Sequence, residues 1–331
     1  SPEPPVTTCS ALSLTRKEPL AGTAAVARTW VVFEQPGPWG RQALTDGRLD
    51  PAVGARLESW TALGVRAALI RSPGRPADRG MNGTRRAFLA HTLPGRARVV
   101  AAALDADEGP EHLAGLDPEA LAAGDFAAAG ARGPAEGGPW EAYRGDPLVL
   151  VCTNGRRDRC CAVLGRPLAA EAASAGGAAV WEVTHLGGHR FSPTLLVLPH
   201  GYAYGRMTGP AVKAVVEAVR AGLVVTEGCR GRSAWEPAGQ AAELAVRGTT
   251  GERDVDALEV IPPEPGEPPA GPSGEPADRW VRVRRRDGTA AWRVRVERDS
   301  TVPPFPASCG ARALPQARVL ATAVEPLPRT G

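Results

Sequence analysis

Short runs of apolar and β-branched residues recur along the chain between turn residues, and such runs predict strands. In the first half they are Trp30–Phe33, Val65–Ile70, Ala87–His91 and Val99–Leu104. A helix is predicted over Pro51–Leu63, where Val53, Leu57, Trp60 and Leu63 share one face, and a second near Pro118–Ala129. The order is β-α-β-β-β-α. The second half repeats it. Strands are predicted at Leu148–Cys152 and Ala179–Val183 with a helix, Cys161–Ser174, between them. Thr194–Leu198 and Tyr202–Arg206 read as a hairpin around His200-Gly201, and Ala211–Ala221 and Ala234–Arg247 as helices. A strand-helix-strand unit followed by a hairpin and a helix is a thioredoxin-like layer. Its recurrence predicts an α/β fold of two such units, related by duplication.

The pattern breaks after residue 250. Residues 251–278 are dense in Pro, Gly and Glu, and cannot bury enough apolar surface to offset the entropy of ordering them. Beyond them Trp280–Arg285 and Ala291–Glu297 flank Asp287-Gly288, a β-hairpin signal, and the TVPPFPASCGARALPQ stretch is turn-rich. The predicted organisation is an N-terminal thioredoxin-like unit (1–140), a second thioredoxin-like unit (141–250), a linker (251–279), and a small C-terminal β-hairpin element with a tail (280–331).

Composition narrows the function. The 331 residues carry a net charge of only +3, which is no footprint for nucleic acid. Arg supplies nearly all the positive charge, a skew of the kind a GC-rich genome imposes. No apolar run reaches the roughly 18 residues of a membrane span. The opening SPEPPVTTCS lacks the basic-then-apolar pattern of a secretory signal. Three of the six cysteines fall within ten residues, Cys152, Cys160 and Cys161, which points to a metal or redox site in a reducing cytoplasm rather than a disulfide scaffold.

Two of the five histidines sit in Thr184-His185-Leu186-Gly187-Gly188-His189-Arg190-Phe191. The two glycines remove helix propensity, so this is no H-E-x-x-H zinc helix, and a Glu for it is absent. Glycines instead allow a tight curl that can aim two imidazoles at one centre. Cys152 closes a predicted strand, and Cys160 and Cys161 open a helix whose N-terminus favours thiolates. One helix and one strand then return the chain to the same sheet edge, where the His loop begins. Two Cys and two His would converge there. C-x8-C is too long for a zinc knuckle, which makes mononuclear zinc the lesser reading; Cys₂ on one iron and His₂ on another is the ligand set of a Rieske cluster.

Cys152-T-N-G-R-R-D-R-Cys160-Cys161, followed by the H-x-G-G-H loop, resembles the motifs of the sucrase/ferredoxin-like family, as do Cys9-Ser10 and WVVFEQPGPWG at 30–40. The likeness covers most of residues 9–247. It implies a thioredoxin-like ferredoxin domain holding a [2Fe–2S] cluster, with Cys152 and Cys161 on one iron and His185 and His189 on the other. Spacing selects Cys161; were Cys160 the ligand, Cys161 would pack inward. The implied protein is a one-electron carrier more than an enzyme, served by a reductase donor and an acceptor, with no nucleic acid or membrane partner. No carboxylate pair supports a sucrase activity. Neutral imidazoles in place of thiolates raise the potential and couple it to protons. The rivals are a thiol–disulfide oxidoreductase using Cys152, Cys160 or Cys161, disfavoured because C-x-x-C is absent, and a zinc-stabilised binding module.

The remaining candidates read as structural. Cys9, Cys229 and Cys309 are isolated in sequence, His91 and His200 sit at strand ends and turns, and His112 follows EGPE in a polar loop. Arg156, Arg157, Arg159 and Arg190 crowd both ligand loops, either as solvated surface or as a docking patch for an acidic redox partner. Trp39 either covers the site or packs between the halves. The first half lacks a matching Cys/His set, so duplication would make the chain a monomer whose first unit stands in for a second subunit.

Overall fold

The computed structural model describes residues 8–74, 83–262, 279–299, 303–316 and 318–328. The first unit contains α1 (Cys9–Thr15), β1 (Thr29–Glu34), α2 (Pro51–Ser59), β2 (Val65–Arg71), β3 (Thr84–His91), β4 (Arg98–Asp105), α3 (Gly109–Ala114), α4 (Pro118–Ala123) and a short β5 (Glu141–Ala142). The second contains β6 (Leu148–Cys152), α5 (Arg159–Ala175), β7 (Ala179–Val183), β8 (Leu195–Leu198), β9 (Tyr202–Tyr204), α6 (Gly209–Arg220), β10 (Cys229–Arg232) and α7 (Pro237–Thr250).

All ten strands join one mixed sheet in the order β10-β9-β8-β6-β7-β2-β1-β3-β4-β5. β1 is parallel to β2 and antiparallel to β3, which pairs with β4. β6 is likewise parallel to β7 and antiparallel to β8, which pairs with β9. Each unit thus has the thioredoxin-like strand order, as the repeated pattern predicts. The units meet where β2 and β7 pair antiparallel, Ile70 opposite Val183 and Arg71 opposite Glu182. The Arg71–Glu182 ion pair, 3.1 Å, closes that seam.

Strand alternation divides the core by face. Val31 and Phe33 of β1 point to a core beneath α2, whereas Trp30 and Val32 join Ile70, Leu150, Cys152 and Val183 in a core shared by both units. Val149 and Val151 point the other way, toward Leu168 of α5 and Val212 and Val215 of α6. Trp39 packs into the first unit's own core rather than between the halves, with its Nε1 donating to Gln35 O at 2.8 Å and the Arg71 guanidinium 4.1 Å above its ring.

The C-terminal element is larger than a hairpin. β11 (Leu258–Ile261), β12 (Arg279–Arg285) and β13 (Ala291–Asp299) are joined, after the two-residue pair β14 (Phe305–Pro306) and β15 (Ala313–Leu314), by β16 (Arg318–Pro326). They form an antiparallel sheet in the order β11-β12-β13-β16. β11 lies in the segment whose composition predicts a linker; residues 263–278 of that segment fall outside the described residues. The reason for the extra strands is the apolar face of Val281, Val283, Val294 and Val296, which a lone hairpin leaves in water. α7 covers it with Ala238, Ala242 and Val246. The opposite side of α7 carries a buried polar network. The Arg247 Nε donates to Glu243 Oε1 at 2.9 Å, the Trp235 indole donates to Oε2 at 3.0 Å, and the Tyr202 hydroxyl donates to Oε1.

Glu243 and Arg247 are both fully buried, so breaking the pair strands a charge. Glu243→Ala is expected to cost roughly 3–5 kcal/mol, read as a fall in the urea midpoint, with Glu243→Gln milder because it keeps an acceptor for Tyr202 and Arg247.

Candidate metal centre

β6 and β7 are parallel neighbours, so both deliver their C-terminal ends to one sheet edge. Cys152 ends β6; the His185–His189 loop follows β7. α5 comes back to the same place because Gly165 lets it lie directly on β6, where an added Cβ would stand 2.2 Å from the Cys152 carbonyl oxygen. Asp158 caps this helix, its Oδ1 accepting from the Cys160 N–H at 2.8 Å. Successive helical residues point about 100° apart, so Cys160 and Cys161 face different neighbours.

Cys161 faces Cys152, and both are buried in the shared core beside Leu186. The Cys152 thiol is held well below its ordinary pKa, by Cys161 foremost, with burial opposing and His185 and the Leu186 N–H adding to the effect. Cys161 is pushed up by Cys152 and by burial. The two shifts run in opposite directions, so the pair gives up its first proton far more readily than its second. The His185 and His189 rings lie 5.1 Å apart, centroid to centroid. Each ring is half-buried, and each Nδ1 is buried with no hydrogen-bond partner among the described residues. Burial, then the neighbouring His185, lowers His189 to about 4, so it is neutral at physiological pH. Two orphaned imidazole nitrogens in the loop beside two thiols fit a soft or borderline metal centre, since an unsatisfied buried polar atom is otherwise costly.

The His loop is fixed by arginine. Arg230, 1% exposed, donates from Nη1 to Gly187 O at 3.1 Å, from Nε to Thr23 Oγ1 at 3.0 Å and from Nη2 to the Thr23 carbonyl. Burial pushes this guanidinium down to about 10, still charged near neutrality. Arg190, Arg206 and Arg230 all lie over the Phe191 ring, at 4.4, 5.5 and 5.4 Å. Arg190 is thus no surface docking residue: its Nε donates to Glu18 at 2.8 Å in a largely buried ion pair. Arg156 and Arg159 are exposed. The first unit reaches the site too, through Asn154 Nδ2 donating to Gly40 O at 3.1 Å and Thr184 Oγ1 accepting from the Leu69 N–H at 3.1 Å.

Cys9 and Cys309 are not isolated. Their thiols meet Cys160, and with Asp158 they form a group that could hold a metal ion. Sequence reasoning misses this group because Cys9 and Cys309 lie 300 residues from each other and at least 149 from Asp158 and Cys160, and match no short motif. Cys229 is an ordinary buried cysteine among Tyr204, Met207 and Val224. His91 is structural, its Nδ1 paired with Thr29 Oγ1 at 2.9 Å. His112 is exposed but not free, because its Nε2 accepts from the Trp140 indole at 3.2 Å. His200 stands apart from both groups, its Nδ1 buried without a partner among the described residues.

The family model described as sucrase/ferredoxin-like matches residues 20–231. The chain belongs to the sucrase/ferredoxin-like family. No curated protein and no solved structure gives a significant match to it. The match runs from before β1 into β10 and includes both loops of the Cys/His centre; α1, α7 and the C-terminal sheet lie outside it. No helix among the described residues is long and apolar enough to cross a membrane.

Gly187 and Gly188 both hold positive φ, +75° and +68°. A Cβ at Gly187 meets nothing within 4 Å, whereas one at Gly188 falls 2.1 Å from Arg230 Nη2, part of a guanidinium locked by Nη2 on the Thr23 carbonyl and Nη1 on the Gly187 carbonyl. Gly187→Ala is expected to cost about 1–2 kcal/mol and Gly188→Ala clearly more, as compared by urea denaturation of the two variants.

Proposed function

We propose that the chain is a one-electron carrier that holds a [2Fe–2S] cluster through Cys152, Cys161, His185 and His189. The observation that carries this reading is the pair of buried Nδ1 atoms, without a partner among the described residues, in the loop that leaves the same sheet edge to which β6 delivers Cys152. When bound, the cluster supplies reversible one-electron oxidation and reduction. Cys152 offers a ready thiolate and Cys161 a thiol that yields its proton on ligation. The burial of both sulfurs keeps water from them, and the fixed His loop keeps the imidazoles aimed without reorganisation. A thiol–disulfide oxidoreductase would leave both imidazoles without a role.

Arg156 and Arg159, exposed on the loop between Cys152 and α5, would give an acidic donor or acceptor protein a basic rim to dock on. With two units in one chain, the carrier needs no second subunit and works as a cytoplasmic monomer. Arg230, charged and buried beside Cys152 and Cys161, favours the more negative state of the site.

Purified protein is expected to be brown, with about two irons and two acid-labile sulfides per chain and a reduced-state EPR signal. Cys161→Ser and His189→Ala should lose these, while Cys160→Ser retains them. Colourless protein without iron or sulfide after anaerobic isolation and reconstitution would refute the proposal. A redox titration is expected to show the potential falling as pH rises between about 6 and 10, by up to about 59 mV per unit, since reduction favours the protonated imidazole; a flat line rejects proton coupling.

A further inference from the structure

Of the four thiols left over by the Cys/His centre, Cys229 is buried elsewhere and the other three share a second point in space. Cys9 Sγ lies 3.7 Å from Cys160 Sγ and 3.5 Å from Cys309 Sγ, and the last two are 3.1 Å apart. Asp158 Oδ2 lies 3.6 Å from Cys9 Sγ. One ligand atom from each of the four residues falls within 4.8 Å of every other. A tetrahedral Zn²⁺ with Zn–S near 2.3 Å and Zn–O near 2.0 Å places its sulfurs about 3.8 Å apart and its sulfur and oxygen about 3.5 Å apart. The observed edges approximate that figure, contracted on one side. A disulfide would join two sulfurs at about 2.05 Å and leave the third thiol against a carboxylate. Instead all three separations are similar, which is what a shared ion produces.

The surroundings suit a closed site. Cys9, Asp158 and Cys160 are buried and Cys309 is half-buried. The carboxylate is oriented by two backbone donors, the Cys160 N–H on Oδ1 at 2.8 Å and the Cys309 N–H on Oδ2 at 2.9 Å. The Ser10 hydroxyl donates to Cys160 Sγ at 3.3 Å, the kind of outer contact that fixes a ligating thiolate. Cys160 sits in the first turn of α5, where the helix dipole favours the thiolate that a metal needs.

We propose that Cys9, Cys160, Cys309 and Asp158 bind one structural Zn²⁺. The ion clips α1 and the 303–316 loop onto the N-terminus of α5, back to back with the Cys/His centre. With four protein ligands and no open position the site is structural rather than catalytic. Binding releases the thiol protons to solvent, and no redox change is involved.

The test is elemental analysis of the full chain together with its Cys309→Ser variant, reading zinc and iron in the same sample. About one zinc per chain is expected, falling roughly tenfold in the variant while iron and sulfide stay unchanged. Zinc that survives Cys309→Ser would sit elsewhere and overturns the site. Should the variant not accumulate, the unmodified chain decides the matter. Alkylation before and after chelator should show Cys9, Cys160 and Cys309 protected only while zinc is present. Co²⁺ exchanged into the chain should give the intense visible bands of tetrahedral thiolate coordination. Thiols equally reactive with and without chelator, or a mapped disulfide among the three cysteines, would sink the proposal. Because iron is read separately, zinc without iron fails only the cluster reading, and iron without zinc fails only this one.

Discussion

Asp158 accepts from the Cys160 N–H with one oxygen and from the Cys309 N–H with the other, so a single carboxylate fixes both the start of α5 and the approach of the C-terminal loop. Burial works against its charge, yet these two donors outweigh it and hold the group below the usual carboxylate range. Everything chemical in the molecule is arranged about that helix start. On one side Cys161 meets Cys152 in the shared core; on the other Cys160 meets Cys9 and Cys309. Gly165 is the second half of the constraint, because only a residue without a side chain lets the helix seat on the end of β6.

The sheet explains why the first unit is kept although it contributes none of the four proposed ligands. Pairing of β2 with β7 makes one continuous sheet of two units, so the edge strand of each is buried in the other. The joint is wide enough to matter at the site. Leu69 of β2 binds Thr184 just before the His loop, and Gly40 binds Asn154 just after Cys152. A lone second unit would expose the β7 edge and leave both loops without these anchors.

Much of this was legible in the residues. The apolar runs at Leu148–Cys152 and Ala179–Val183 coincide with β6, which is buried along its whole length and so reads as a continuous apolar run, and with β7, which is half-buried over its first three residues. Glycines in the His loop pointed to a non-helical curl, and both adopt positive φ. Hidden features were those made by distant chain. β10, Cys-Arg-Gly-Arg, has no strand-like composition and exists because Arg230 and Arg232 find buried carbonyls on Thr23, Thr92 and Val255. The Cys9–Cys160–Cys309 group is invisible for the same reason, and so is the role of Arg190, which reads as surface charge until Glu18 is folded beneath it. In sequence α7 and its valine-lined sheet read as a helix and a hairpin apart, since nothing local announces that one covers the other.

The contact between Cys9 and Cys309 spans 300 residues. Loop closure over such a distance is among the last events of folding, and on a ribosome the 309 loop emerges only after both thioredoxin-like units have been made. The α5 terminus must therefore be shaped first by Asp158 and Gly165 alone, with its outer thiols open to solvent, and is sealed afterwards. During that interval the outer thiols are open to oxidants, and the later-made loop around Cys309 is the cap that ends the exposure.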